Sequence, residues 1–273
     1  MRRWTKTICL LLAVLMLSAA LSGGLQAKAA GGTVQMGDVV QLGDYEKGSL
    51  HIVFYPKVLE TSDQSWPLII WANGTMCAPV LYTQLMHDLA NQGYVVVTSS
   101  NVMSADGKDQ IKSLDWILSQ SEREDSVFYG KIDGSRVAAM GHSQGGRSTV
   151  NAAAADARFC CAVSIAGSNF TYEAKKLSTP TLFFTGTADL FVLSSMWVKP
   201  AYNNCSGPAV YASLKNGIHI TCMLKPDVYL GYCVRWLRAW MDRDADALAV
   251  FQSGGALSKD GIWKDCVSKN LTF

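Results

Sequence analysis

Short, wholly apolar runs punctuate this chain, and between them lie stretches whose apolar residues fall three and four positions apart. Pro67–Trp71 (PLIIW), Tyr94–Thr98, Cys161–Ile165, Thr181–Phe184 and Ala209–Leu214 are runs of the first kind. Strands with that pattern belong to a sheet covered on both faces. Leu50–Tyr55 reads as one more strand ahead of them and stops at Pro56. Helical spacing appears over Val80–Asn91 through Leu81, Leu85 and Leu89, and near Asp109–Gln120 through Ile111, Leu114, Ile117 and Leu118. It returns near Ser194–Tyr202 and over about Val228–Asp242, a segment rich in Trp236, Leu237 and Trp240. Strand and helix alternate from about Leu68 onward, which predicts right-handed βαβ crossovers. The expected fold is therefore α/β, a mostly parallel sheet with helices on both faces. Residues 30–48 are Gly-rich, and the tail to Phe273 reads as irregular.

One strand carries chemistry with it. Val137–Met140 runs into Gly141-His142-Ser143-Gln144-Gly145-Gly146, a G-x-S-x-G turn with a helix expected from Gln144 to about Ala155. This is the pattern of a nucleophile elbow, which lifts a serine onto a sharp turn at the head of a helix. The helix N-terminus adds its positive dipole end there. Without chemistry, the same residues would be a tight strand-to-helix turn.

A serine hydroxyl needs a base, and the base needs an orienting acid. In folds built around this elbow the chain order is serine, acid, histidine. His219 is the only histidine after Ser143, and it follows a strand and the Lys215-Asn216-Gly217 turn. His51, His87 and His142 are expected to be structural, with His142 pointing away from the serine. Between Glu173 and His219 the only acid is Asp189, in a turn after the apolar strand Leu182–Phe184. Two N–H donors should then face a developing oxyanion. Gln144 supplies one, and the loop Asn73-Gly74-Thr75-Met76 supplies the other through Thr75, with Met76 as the alternative. Asn73-Gly74-Thr75 also spells a glycosylation sequon. Met76, Phe170, Phe191 and Trp197 are candidates to line an acyl cleft, with plain core packing as the alternative. Only 13 residues separate Gly167 from Thr181, too few for an inserted lid domain, so an open groove suited to bulky or polymeric substrates is expected.

The beginning of the chain changes where this chemistry would act. Arg2, Arg3 and Lys6 precede an apolar stretch from Ile8 to Leu21, and Ala27-Lys28-Ala29 fits a cleavage site. The expectation is a cleaved signal peptide over residues 1–29 and one secreted domain over 30–273, without a membrane anchor. The leader takes four of the 24 basic residues and none of the 22 acidic ones, leaving 20 against 22. That balance gives no reason to expect nucleic acid as a partner. Seven cysteines follow the leader, and export makes disulfides plausible. The expected pairs are Cys205–Cys222 and Cys233–Cys266. No C-x-x-C spacing points to a metal. The chain is expected to act as a monomer.

Trp71-Ala72-Asn73-Gly74-Thr75, the GHSQGG elbow, Gly186-Thr187-Ala188-Asp189 and the tail Ile262-Trp263 with Ser268-Lys269-Asn270 resemble bacterial α/β-hydrolases of the cutinase and polyester-hydrolase type. Chlorophyllase-like and dienelactone-hydrolase-like sequences share much of this. The resemblance covers about residues 50–270. It implies an α/β-hydrolase fold and hydrolysis of carboxylic esters without metal or organic cofactor. It carries over Ser143, Asp189 and His219 as a triad and Thr75 and Gln144 as oxyanion residues. The chain departs from that group at three places: Thr75 stands where an aromatic residue is frequent, Gln144 where Met is frequent, and Phe170 nearest to a frequent Trp. The competing readings are a secreted binding protein on the same fold, and a peptidase or acyltransferase using the same triad.

Overall fold

A computed structural model describes residues 35–273, so the expected signal peptide lies outside the described residues. Among the described residues, nine strands form one sheet: β1 (Val39–Leu42), β2 (His51–Pro56), β3 (Trp66–Ala72), β4 (Val95–Ser99), β5 (Ile132–His142), β6 (Phe159–Ile165), β7 (Thr181–Gly186), β8 (Ala209–Leu214) and β9 (Trp263–Lys269). Their spatial order is β1-β2-β4-β3-β5-β6-β7-β8-β9. From β4 through β8 every pairing is parallel, with registers such as Ile70 against Ala139 and Ala139 against Ala162. The outer pairings β1–β2, β2–β4 and β8–β9 are antiparallel.

The helices are α1 (Thr83–Asn91), α2 (Lys108–Ser121), α3 (Gln144–Ala155), α4 (Thr171–Ala174), α5 (Val198–Asn204), α6 (Thr221–Leu224), α7 (Asp227–Met241), α8 (Ala245–Ala249) and α9 (Ala256–Lys259). Because strand side chains alternate, each apolar run feeds two cores at once. In β3, Ile69 and Trp71 pack with Leu85, Met86 and Leu89 of α1 and Trp236 and Leu237 of α7. Leu68 and Ile70 pack on the other side, with Leu114 and Ile117 of α2 and Val150 of α3. All four β3 residues are buried, and each such side chain contributes about 1.5–3 kcal/mol. A strand apolar on both faces fits only between helix layers, which is why the wholly apolar runs became the central strands.

Two expectations fail here. The tail is ordered: α8 and α9 lead to β9, which closes the sheet edge against β8. Neither disulfide forms, since all seven cysteines among the described residues are free. Cys205 lies in the core beneath α5, whereas Cys222 lies in the core on the opposite face of the sheet, so the sheet itself stands between them. Cys233 is buried within α7, and the Cys266 thiol points to the Leu257 carbonyl instead.

Candidate active site

The site forms at the carboxyl ends of the parallel strands, where β3, β5, β7 and β8 release their loops. Ser143 sits between β5 and α3 with φ 58° and ψ −120°, a backbone conformation that side chains rarely adopt. Packing enforces it. A Cβ on Gly141 would come within 2.4 Å of the Gly145 carbonyl oxygen, and one on Gly145 within 2.1 Å of the Ala72 carbonyl oxygen. Only glycine lets the strand and the helix approach this closely. The Ser143 N–H donates to the Ile165 carbonyl at 2.9 Å, and the Ser143 carbonyl accepts from the Arg147 and Ser168 N–H groups. The hydroxyl is left facing the loops.

Those loops bring the predicted partners to it. His219 Nε2 lies 2.9 Å from Ser143 Oγ, and His219 Nδ1 lies 2.8 Å from Asp189 Oδ2. The Asp189 side chain is fully buried, and that of His219 is partly exposed. Burial pushes the Asp189 carboxyl up. The bond to His219, its charge, and the Val192 and Phe191 N–H groups outweigh this and hold it below the usual carboxylate range. Both N–H groups reach Asp189 Oδ1 at 2.9 Å. An ionised Asp189 fixes the proton on His219 Nδ1 and leaves Nε2 free to accept the serine proton.

The two loop N–H groups left open by the sequence differ in what they contact. The Met76 N–H donates to the Val102 carbonyl at 2.8 Å, and the Gly74 N–H donates to Tyr82 Oη at 3.0 Å. Among the described residues nothing engages the Thr75 N–H. Gln144 is the first residue of α3, so its N–H has no acceptor within the helix. Asn73 is buried, and its Nδ2 donates to the Ser99 and Asn101 carbonyls, so the sequon asparagine braces the loop from inside and offers no room for a glycan.

The cleft candidates divide. Phe191 is 71% exposed and lays its ring 5.5 Å from that of His219. Met76 is exposed at the loop tip. Phe170 and Trp197 pack on each other at 5.3 Å, and the Arg147 guanidinium covers the Phe170 ring at 4.0 Å. Arg147 is clamped by Glu173, which also accepts the Phe170 N–H. This brace was missed in the sequence, because Arg147 and Glu173 meet only through the chain reversal after β6. His51 stacks on Trp116, as a structural histidine should. His142 is buried, and its ring bridges Tyr82 and the His219 carbonyl.

A family model described as PET hydrolase-like matches residues 22–255. The chain belongs to the PET hydrolase-like family. Its sheet order and helix layers are those of the α/β-hydrolase fold to which this family belongs. Relatives of this PET hydrolase-like chain include a bis(hydroxyethyl) terephthalate hydrolase from Streptomyces coelicolor, 27% identical over 70% of this chain and 62% of the relative. Cutinase 1 of Thermobifida cellulosilytica is 27% identical over 57% of this chain and 61% of its own length. A cutinase of Thermobifida fusca is 27% identical over 57% and 53%. The chain thus spans between about half and three fifths of these relatives' own lengths.

Proposed function

We propose that this chain is an exported serine ester hydrolase, a single domain acting as a monomer on exposed or bulky carboxylic esters. The continuous contact from Asp189 through His219 to Ser143, at 2.8 and 2.9 Å, carries this reading. His219 takes the Ser143 proton as the hydroxyl oxygen attacks the ester carbonyl. The Thr75 and Gln144 N–H groups receive the oxyanion. The tetrahedral intermediate collapses, the alcohol leaves with the proton from His219, and an acyl-serine remains. Water, deprotonated by His219, then releases the acid and restores the serine.

Three observations support large substrates. The segment between β6 and β7 holds only the short helix α4. Leu190, Phe191 and Met76 leave apolar surface exposed beside the triad. The relatives named above are a terephthalate-ester hydrolase and cutinases. Among the described residues no helix is long and apolar enough to cross a membrane, and the sequence of residues 1–29 supports export. A fluorophosphonate probe should label Ser143 stoichiometrically, and p-nitrophenyl acyl esters should be turned over. An unlabelled, inactive protein would sink the proposal. A series of acyl chain lengths run beside a solid polyester separates small esters from polymers as the preferred class.

A further inference from the structure

We propose that Tyr82 and His142 form a buried hydrogen-bond relay that holds the oxyanion loop and the base loop in register with Ser143, as positioning residues for hydrolysis. The inference rests on the serine hydrolase reading above and adds two residues to it.

The contacts run in one direction. His142 Nε2 lies 2.8 Å from the His219 carbonyl oxygen, which can only accept, so Nε2 carries the proton. A neutral ring then has its lone pair on Nδ1, which lies 3.0 Å from Tyr82 Oη. The Tyr82 hydroxyl must donate there, and its oxygen accepts the Gly74 N–H at 3.0 Å. The relay therefore reads Gly74 N–H to Tyr82 O–H to His142 Nδ1, then His142 Nε2–H to the His219 carbonyl. Its ends are the residue before the Thr75 donor and the main chain of the base. Its middle is the residue before the nucleophile.

The surroundings keep it in this state. Tyr82 and His142 are each 1% exposed. Burial first, and then the charge on His219, push the His142 pKa down to about 3. His142 thus stays neutral when His219 takes the serine proton. Gly74 is required at its end of the relay, since a Cβ there would sit 2.9 Å from Tyr82 Oη, 3.3 Å from His142 Nδ1 and 3.4 Å from Ser143 Cβ. Sheet hydrogen bonds do not join β5 to β8, because β6 and β7 lie between them. His142 reaches across that gap through its side chain.

The test measures kcat and KM for p-nitrophenyl butyrate on the purified chain, with melting temperatures alongside. Tyr82→Phe removes only the hydroxyl, and kcat should fall on the order of 10- to 100-fold, with KM held within about twofold. His142→Leu should fall at least as far. His142→Gln, whose amide can donate to the His219 carbonyl and accept from Tyr82, should recover most of the loss. The double variant Tyr82→Phe/His142→Leu should be no slower than His142→Leu alone, because both break one relay. A pair that serves packing only would lower the melting temperature and leave kcat near wild type well below it, which overturns the inference. Multiplicative losses in the double variant overturn it too. If Tyr82→Phe does not fold, His142→Leu against His142→Gln decides. Ser143→Ala in the same assay keeps the two readings apart: if it retains wild-type activity the hydrolase reading falls, and if it alone is inactive only the relay falls.

Discussion

Ser143 and His219 are held in place by different means. Ser143 is fixed by backbone packing: two glycines let β5, α3 and β3 touch, and its N–H is pinned to β6. His219 sits in a loop between β8 and α6, fixed through side chains from elsewhere, Asp189 on its ring and His142 on its carbonyl. The glycines that permit the first arrangement lie within a handful of consecutive residues. The second exists only once distant strands have paired. One end of the site is therefore intolerant of added atoms, and the other is sensitive to lost hydrogen bonds.

Replacing Ser143 with Ala should lower kcat by a factor on the order of 10⁶ while substrate binding persists. A loss below tenfold would remove the serine from its role. On the base side, Asp189→Asn keeps the shape but no longer fixes the His219 tautomer or balances its charge. It should cost on the order of 10⁴ in kcat.

Acid separates the two side chains that hold His219. The folded state keeps His142 neutral down to about pH 3, whereas an unfolded histidine takes up a proton near pH 6.5. The unfolded chain thus binds the extra proton between those values, and stability falls as pH drops below 6.5, by about 1.4 kcal/mol per pH unit from this group. Asp189 acts in a lower window. Its depressed carboxyl adds stability that is complete above the unfolded value of about 3.9 and is lost as pH falls further. The difference in unfolding free energy between wild type and His142→Gln, followed from pH 7 to 4.5, should therefore grow against the wild type as acid is added. A pH-independent difference would show that His142 takes up its proton without cost in the fold. The smallest effect belongs to the rim: Phe191→Ala removes the exposed ring beside His219 and should raise KM about fivefold with little change in kcat.

The same contrast explains what could be read from the residues. The elbow helix was predicted over Gln144 to about Ala155 and occupies Gln144–Ala155, because glycine spacing and the apolar run before it are local signals. Elimination and chain order singled out Asp189 and His219, which the structure brings to Ser143. Tyr82 was not, since a tyrosine in the turn before α1 carries no pattern that announces a hydroxyl bound to Gly74 and His142. The strand β9 was also hidden. Trp263–Lys269 holds charged and polar residues at an exposed edge, and Asp265 takes a positive φ of 53° near a register shift in β8. Pairing with β8, rather than any periodicity of its own, makes it a strand. The cysteine pairs failed for a related reason: spacing along the chain does not tell which face of a sheet a thiol will reach.

One carboxylate ties His219 to the exposed apolar rim beside it. Asp189 orients the imidazole through one oxygen and, through the other, gathers the amides of Phe191 and Val192. The greasy lip beside His219 therefore hangs from the carboxylate that holds its ring. Anyone transplanting a different lip here, to suit another polymer, would have to keep both amide donors. Otherwise the graft would detune the imidazole along with the mouth, and a change meant for selectivity would be read as a loss of turnover.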